Sequence, residues 1–219
     1  MDKKQQALDL LFSQKILPLY YHDSAEVSTK ILEALYDAGI RAVEYTNRGE
    51  AALDNFQQLR KAVDERMPGL LLGVGTIKTK KAAGDFVDAG ADFVICPSLN
   101  TKVGKLVSKA GLLWVPGCMT ATEIARAENA GATLVKIFPG NILGPSYITA
   151  IKDIFPGLRF VVTGGVEAEE MNLRSWFSVG VAGVGLGSKL ISKELIERQD
   201  YEGLKEATQR ALALVKDIA

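Results

Sequence analysis

The residue best placed to do chemistry in this sequence is a lysine inside an apolar segment. Lys136 stands in the run Leu134–Pro139, which reads LVKIFP and has the length and composition of a buried strand. Burying an ammonium group is costly unless it has a partner or a function. Desolvation favours the neutral amine, which can attack a carbonyl carbon and form an imine. The alternative is a lysine that a neighbouring carboxylate simply neutralises, and the pattern alone leaves both open.

A second apolar segment carries a carboxylate and a guanidinium with the same strand parity. Glu44, Thr46 and Arg48 lie two residues apart, so they point to one face if the strand continues through Arg48. Glu44 could then shuttle protons, and Arg48 could clamp a substrate carboxylate in bidentate fashion. A structural ion pair between the two is the alternative. Imine chemistry needs several proton transfers, so Glu44 and Lys136 on non-adjacent strands fit it together.

Other catalytic groups are scarce in this chain. The single histidine, His22, excludes a histidine-rich metal site and is interpreted as a partly exposed loop residue. No GxSxG motif accompanies it, so a serine triad is not supported. Cys96 and Cys118 are too far apart for a CxxC pair and are expected to be reduced thiols.

Two glycine-rich turns follow the last two apolar runs. They are Thr163-Gly164-Gly165 and Gly185–Ser188. Glycines let the backbone approach an anion closely, and successive N–H groups form an anion-binding concavity. The alternative is that they only make tight turns, but their joint position favours phosphate or a similar anion. A third glycine segment, Gly73–Thr76, lacks the spacing of a nucleotide fingerprint, so no nucleotide is implied.

The elements that must position these residues repeat along the chain. Eight short apolar runs predict buried parallel strands: Ile16–Tyr21, Ala42–Thr46, Leu70–Gly75, Asp92–Pro97, Leu113–Cys118, Leu134–Pro139, Arg159–Gly165 and Gly183–Ser188. Amphipathic stretches between them predict helices, among them Ala25–Ala38, Ala51–Met67, Lys80–Ala89, Ala121–Ala130 and Tyr201–Ile218. Another short amphipathic stretch near the start predicts an extra N-terminal helix.

The residues at the ends of the predicted helices agree with a single α/β architecture. Left-handed helix caps are expected at Gly39, Gly90, Gly111, Gly131 and Gly180. The segment from Thr120 to Glu123 has the spacing of a capping box. Strand–helix alternation without a linker predicts one (β/α)8 TIM barrel over residues 1–219, with its site at the carboxyl ends of the strands. An open doubly wound sheet is the alternative, because alternation does not show closure.

The composition excludes several classes of partner. Of 219 residues 47% are apolar, and 26 basic side chains balance 26 acidic ones, so the formal net charge is zero. A neutral chain lacks the basic field that nucleic acid or an anionic membrane surface requires. It has no apolar signal core and no apolar run of membrane-spanning length. We therefore expect a cytoplasmic protein with a small-molecule substrate.

Taken together, these segments resemble the class I aldolases that act on 2-keto-3-deoxy-6-phosphogluconate and 4-hydroxy-2-oxoglutarate. The resemblance runs from about Ile16 to Leu190. The matching segments follow in order: Leu17-Pro18, Val43–Arg48, Gly73–Thr76, Cys96-Pro97, Pro116-Gly117, Thr122-Glu123, Val135–Pro139 and Thr163–Gly165. Each piece is weak alone, but the ordered set is specific.

The resemblance implies a role for each matching position. Lys136 would form the Schiff base, and Glu44 would be the general acid/base. Arg48 and Thr76 would hold the substrate carboxylate, while Pro97 and Phe138 would pack around the pyruvyl portion. The distal, often phosphorylated, end would be received by Thr163, Gly164, Gly165, Gly187 and Ser188. The family also implies a homotrimer that needs no metal or other cofactor.

The sequence departs from the commonest family pattern in several places, and the distal end is among them. The differences lie at Asn47, Cys96 to Ser98, Gly140-Asn141, Val162 and Leu186. Lys136, Glu44 and Arg48 match, so an aldolase that releases pyruvate and an aldehyde is expected. The resemblance leaves open which chemical group the substrate carries at its distal end. The rival functions are a phosphate-binding isomerase or epimerase without an imine, and a non-catalytic binding barrel.

Overall fold

The strands and helices of the chain alternate as the sequence predicts. The computed structural model describes residues 2–218. Its strands are β1 Ile16–Tyr20, β2 Ala42–Thr46, β3 Leu71–Gly75, β4 Phe93–Ile95, β5 Leu113–Val115, β6 Gly117–Cys118, β7 Leu134–Ile137, β8 Arg159–Thr163 and β9 Gly183–Leu186. Its helices are α1 Lys3–Gln14, α2 Ala25–Asp37, α3 Ala52–Arg66, α4 Lys80–Asp88, α5 Thr101–Lys109, α6 Ala121–Asn129, α7 Gly140–Ile151, α8 Glu170–Phe177, α9 Lys193–Glu197 and α10 Tyr201–Ile218.

All strand pairs are parallel, and the sheet returns on itself as a barrel. The ladder runs β5-β4-β3-β2-β1-β9-β8-β7-β6. Its two edge strands, β5 and β6, are consecutive segments of one predicted strand, Leu113–Cys118, divided at Pro116. The Lys136 N–H donates to the Pro116 carbonyl at 2.9 Å, which joins the edges. The predicted (β/α)8 barrel is therefore confirmed, and the open-sheet alternative is wrong.

One predicted strand needs a correction. The run Leu113–Cys118 is not continuous, because Pro116 has no N–H to donate to the ladder. Before Pro116 the chain pairs with β4, and after it the chain pairs with β7. The interruption therefore coincides with a change of partner strand, and it lies beside Lys136.

The predicted helix ends are present. The five glycines expected to cap helices all have positive φ, between 72° and 108°. Thr120 and Glu123 form the expected capping box at the start of α6. The five glycines therefore mark the ends of α2, α4, α5, α6 and α8, and the capping box marks the start of α6.

Buried apolar side chains form two clusters, one outside and one inside the barrel. The outer cluster lies between the strands and the surrounding helices. In the inner cluster, Leu8 and Leu11 of the predicted extra helix α1 pack with Leu17, Leu113 and Leu134. Helix α1 therefore closes the amino-terminal end of the barrel and leaves the opposite end for a site.

The side chain of Gln14 joins the first two strands at the closed end. Its amide nitrogen donates to the carbonyls of Ile16 and Ala42 at 2.6 and 2.9 Å. Its carbonyl oxygen accepts from the N–H groups of Arg41 and Ala42 at 2.6 and 3.0 Å. Gln14 therefore satisfies backbone groups where β1 and β2 begin.

Within residues 2–218, no helix combines the length and the apolar character that crossing a membrane requires.

Candidate active site

Lys136 and Glu44 face each other inside the barrel. Lys136 lies on β7, between Gly117 of β6 and Val161 of β8, and Glu44 lies on β2. The Lys136 Nζ is 3.8 Å from Glu44 Oε1, and the two side chains are 8% and 1% exposed. That distance is too long for a hydrogen bond. The pair compensates its charges without a tight contact, so the amine keeps its hydrogen-bonding capacity.

The second oxygen of the Glu44 carboxylate is also unoccupied by protein groups. Glu44 Oε2 is buried and has no hydrogen-bond partner among residues 2–218. Buried polar atoms are nearly always paired, so an exception calls for a functional explanation. A carboxylate with an open oxygen beside an amine is suited to taking up and returning protons.

The space that Glu44 occupies exists because β3 carries a glycine. A Cβ atom built on Gly75 would overlap the Oε1 and Cδ atoms of Glu44. The neighbouring Gly73 makes room for the ring of Phe93 in the same way. The glycines of β3 therefore leave room for side chains inside the barrel, and this role does not depend on ligand binding by the loop that follows β3.

Arg48 and Thr76 both follow the strands that carry Glu44 and Gly75. Strand β2 ends at Thr46, and the Arg48 N–H donates to the Thr46 carbonyl at 2.9 Å in a tight turn. The strand therefore does not continue through Arg48. The Arg48 side chain nevertheless lines a cavity at the carboxyl end of the barrel, called the main cavity below. Thr76 has a φ of 61°, a left-handed conformation that is strained for a β-branched residue.

The ion-pair alternative for Glu44 and Arg48 is wrong. Within residues 2–218, Arg48 forms no salt bridge, and the cationic partner facing Glu44 is Lys136. The Arg48 side chain is exposed at the cavity wall. It is thus free to bind an anion from solution.

Phe138 lies beside the lysine, and Pro97 lies beside the register neighbour of the lysine. The Lys136 Nζ lies 5.4 Å from the centre of the Phe138 ring, and Phe138 also lines the main cavity. Pro97 packs its backbone against Gly117, which is the register neighbour of Lys136. Phe138 is therefore next to the amine, and Pro97 lies against the strand that pairs with β7.

The predicted distal-end residues surround a cavity of about 560 Å³ at the carboxyl end of the barrel. Thr163, Gly164, Gly165, Gly187 and Ser188 all line it, together with Arg48 and Phe138. Gly164 and Gly165 have φ values of 92° and 72°, so two consecutive residues adopt the left-handed conformation. Lys136, Glu44, Thr76 and Pro97 do not form its wall. Leu19 connects the cavity with the Lys136–Glu44 pair, because it lines the cavity and is the register partner of Glu44.

The charged side chains around this cavity are mostly paired. Lys189 contacts Glu167 at 2.7 Å, and Lys193 contacts Glu197 at 3.3 Å. Arg48 is the cavity cation without an ion-pair partner in the described part of the chain. Among residues 2–218, His, Cys, Asp and Glu side chains form no group of three suited to a metal ion.

The pKa values of a thiol and a phenol near the site are raised. Burial raises the pKa of the Cys96 thiol to about 11, so this thiol is neutral at physiological pH. A hydrogen bond to the Asp23 carboxylate raises the pKa of the Tyr21 hydroxyl to about 12. Tyr21 lines the cavity, and its hydroxyl lies against Gly49, next to Arg48.

The sequence interpretation of His22 is incomplete. His22 is partly exposed, as expected for a loop residue, but it also lines the main cavity. Parallel pairing of β1 with both β2 and β9 brings the loop after β1 between Arg48 and Ser188. The sequence offered one signal for this location, namely a polar residue just past the end of a predicted strand. A single imidazole offered no pattern to distinguish it from an ordinary loop residue.

Comparison with known proteins agrees with this geometry. The family model for KDPG and KHG aldolases matches residues 9–207. A 2-dehydro-3-deoxy-6-phosphogalactonate aldolase of Escherichia coli (strain K12) is 33% identical over 184 residues, covering 84% of each chain.

Two solved structures are similar over nearly the whole chain. The crystal structure of a 4-hydroxy-2-oxoglutarate/2-dehydro-3-deoxyphosphogluconate aldolase from TTHB1 has a TM-score of 0.82 at 31% identity, covering 98% of both chains. The KDPG aldolase of Legionella pneumophila, captured with pyruvate as a covalent carbinolamine intermediate, has a TM-score of 0.83 at 25% identity, covering 93% of this chain and 97% of that one. The chain therefore belongs to the KDPG and KHG aldolase family and is an aldolase.

Proposed function

We propose that this aldolase cleaves a 2-keto-4-hydroxy acid to pyruvate and an aldehyde through a Schiff base on Lys136. The observation that carries this proposal is the buried Lys136–Glu44 pair, held 3.8 Å apart next to a cavity with an unpaired arginine. An amine without a tight partner can act as a nucleophile, and a nearby carboxylate can serve as its acid/base. Arg48 and Thr76 would hold the substrate carboxylate, and Pro97 and Phe138 would enclose the pyruvyl carbons.

The proposed reaction proceeds in four steps. The Lys136 amine attacks the C2 ketone, and loss of water gives a protonated imine. Glu44 removes the proton of the C4 hydroxyl, the C3–C4 bond breaks, and its electrons pass into the imine to form an enamine. The aldehyde leaves. Glu44 returns its proton to C3, and water then hydrolyses the imine to pyruvate and free Lys136.

The distal cavity supports a phosphorylated sugar acid as the preferred substrate. Thr163, Gly164, Gly165, Gly187 and Ser188 offer hydroxyl and N–H donors along one wall, a pattern that suits phosphate oxygens. Relatives of the chain act on 2-keto-3-deoxy-6-phosphogluconate, its galactonate epimer or 4-hydroxy-2-oxoglutarate, as their names state. We propose the two six-carbon phosphates as the first substrates to test.

We also propose that residues 1–219 act as a single barrel domain in a cytoplasmic homotrimer with a small-molecule substrate. One structural relative of this domain was used to build a designed cage from symmetric oligomeric domains, which supports an oligomeric state. Light scattering of the purified protein measures the number of subunits directly.

The lysine is tested by trapping. Borohydride added with pyruvate should reduce the imine, and mass analysis of the peptides should place the adduct on Lys136. Lys136→Ala should lose the adduct and roughly 10³-fold or more of pyruvate release, and Glu44→Gln should lose about 10²- to 10⁴-fold. Lys61→Ala, at an exposed position of α3, is the matched control and should keep both.

The substrate is tested by measuring pyruvate release across a small panel. It contains the two phosphorylated sugar acids, unphosphorylated 2-keto-3-deoxygluconate and 4-hydroxy-2-oxoglutarate. We expect the phosphorylated compounds to give the highest kcat/KM. Equal values with and without phosphate would contradict the role of the glycine loops. Activity retained by Lys136→Ala without any trapped adduct would overturn the Schiff-base mechanism itself.

A further inference from the structure

His22 is held in one place by an unusual concentration of buried polar groups. Its backbone carbonyl accepts hydrogen bonds from Ser28 Oγ at 3.1 Å, Tyr45 Oη at 3.0 Å and Asn55 Nδ2 at 3.1 Å. These three side chains are 0%, 0% and 4% exposed. Buried polar groups that are mutually satisfied rigidify their surroundings. Elements α2, β2 and α3 therefore all contribute to fixing the backbone of this one loop residue.

A hydrogen bond also holds the imidazole ring of His22 in one orientation. The Ser24 N–H donates to His22 Nδ1 at 3.0 Å, immediately before α2 begins. A nitrogen that accepts a hydrogen bond carries no proton, so in the neutral ring the proton is on Nε2. Among residues 2–218, no hydrogen bond engages Nε2. The ring thus has a defined donor available to a ligand.

The cavity is where that donor can be used. His22 lines the same cavity as Arg48 and the glycine loops, and the strand pairing puts it between Arg48 and Ser188. Lys189 and Lys193 in that wall already have carboxylate partners. An N–H donor at a fixed position therefore adds a hydrogen bond that the paired cations do not supply.

We propose that His22 is a specificity-determining residue, whose Nε2–H donates a hydrogen bond to an oxygen of the substrate beyond C4. This inference rests on the proposed function and identifies which residue reads the distal chain. The oxygen belongs to a chain hydroxyl or to the terminal phosphate, and both are acceptors of the same donor. The pyruvyl half of the substrate does not require His22, because Lys136, Glu44 and Arg48 serve it.

Two amide substitutions separate the two ring nitrogens. Asparagine can place an acceptor near the position of Nδ1, so His22→Asn keeps the bond to Ser24 N–H and loses the distal donor. Glutamine can reach the position of Nε2, so His22→Gln keeps the donor and loses the loop bond. Both variants keep the backbone carbonyl on which the three buried donors converge. Thermal unfolding of each variant monitors the fold.

Each variant is measured in two reactions. Exchange of the pyruvate methyl protons in D₂O, followed by NMR, reports on the imine without any distal group. Cleavage of 2-keto-3-deoxy-6-phosphogluconate and of its unphosphorylated analogue reports on the distal contact. For His22→Asn we expect unchanged exchange and a loss of about 10- to 100-fold in cleavage kcat/KM, since hydrogen bonds to bound ligands are of this strength. His22→Gln should retain most of the cleavage activity.

The outcomes separate the alternatives. A loss with both sugar acids assigns the acceptor to a hydroxyl, and a loss confined to the phosphorylated one assigns it to the phosphate. Retained cleavage in His22→Asn with a loss in His22→Gln would overturn the proposal, because only the loop bond would then matter. An equal loss of exchange and cleavage in His22→Asn would overturn it too. Failure of the parent enzyme to trap pyruvate would instead contradict the proposed function.

Discussion

Glycine determines the geometry of this site as much as the charged side chains do. Glu44 can lie inside the barrel opposite Lys136 because Gly75 leaves the space that its carboxylate fills. Gly185 serves Thr163 in the same way, since a Cβ there would collide with the Thr163 hydroxyl. The positions that line the reaction space are therefore set by side chains and by their absence on neighbouring strands.

Adding one methyl group at Gly75 should disable the site. In Gly75→Ala the new Cβ would overlap the buried Glu44 carboxylate and displace it from its position opposite Lys136. We expect pyruvate release to fall by about 10²- to 10⁴-fold, the effect of losing a general acid/base. The measurement is kcat for pyruvate formation, with circular dichroism to verify the fold.

A second glycine supplies the control. Gly84 lies inside α4, where a Cβ would meet only Leu106 Cδ1 at an ordinary 3.8 Å. Gly84→Ala should keep full activity and gain about 0.5–1 kcal/mol of stability. Full activity in Gly75→Ala would mean that Glu44 is not the acid/base.

At this scale the sequence identifies the reacting groups but not everything around them. Lys136 and Glu44 can be found because charged residues within apolar strands are costly and therefore conspicuous. The parity argument for Arg48 required the strand to continue, but β2 ends two residues earlier, and Arg48 lines a cavity whose wall does not include Glu44. The fixed position of His22 could not be predicted, because it depends on Ser28, Tyr45 and Asn55 from three separate elements meeting at one carbonyl.

Among the elements, the strands are the most predictable and their connections the least. Strands buried on both faces read as short apolar runs, so all eight predicted runs coincide with barrel strands. The division of the fifth at Pro116 was not predicted, because apolar content alone does not reveal which neighbour each half pairs with. Proline was the available signal, since it cannot donate to a ladder. The clamp that Gln14 forms between β1 and β2 left no trace in the pattern.

Removing that clamp should weaken the barrel without altering its chemistry. In Gln14→Ala the backbone groups at Ile16, Arg41 and Ala42 lose their side-chain partners. We expect a loss of about 2–3 kcal/mol in the free energy of unfolding. For a chain of this size this lowers Tm by roughly 5–10 °C. Differential scanning calorimetry measures the shift.

The matched control is another glutamine of the same helix. Gln5 is exposed, and among residues 2–218 its side chain hydrogen-bonds only with Asp9, so Gln5→Ala should change Tm by little. Below its Tm, Gln14→Ala should trap pyruvate as the parent does, since the clamp lies at the closed end. A Tm equal to that of the parent would show that water replaces the lost bonds.

Over the whole molecule, the two ends of the barrel have different tasks. The amino-terminal end is packed with apolar side chains from α1, and the carboxyl end holds the cavity and the loops around it. This division follows from the parallel arrangement, in which all strands finish at one end. Loops there can vary without disturbing the packing that holds the strands together.

Because Leu8 and Leu11 of α1 pack inside the amino-terminal end of the barrel, we expect substrate and products to pass through the opening at the carboxyl end. In the proposed mechanism pyruvate stays bonded to Lys136 at the inner end of this passage, while the aldehyde would lie nearer its mouth. The aldehyde must then depart first and pyruvate second. We expect pyruvate to inhibit cleavage competitively against the substrate and the aldehyde to inhibit it noncompetitively, as steady-state kinetics with added products can measure.

Noncompetitive inhibition by pyruvate would contradict this order and would require a second exit. If pyruvate inhibits competitively, the packing of one N-terminal helix accompanies an ordered release of products at the opposite end of the protein. In the reverse direction, the same order makes pyruvate the obligatory first reactant in carbon–carbon bond formation. The aldehyde is then admitted only to an enzyme that already carries its nucleophile.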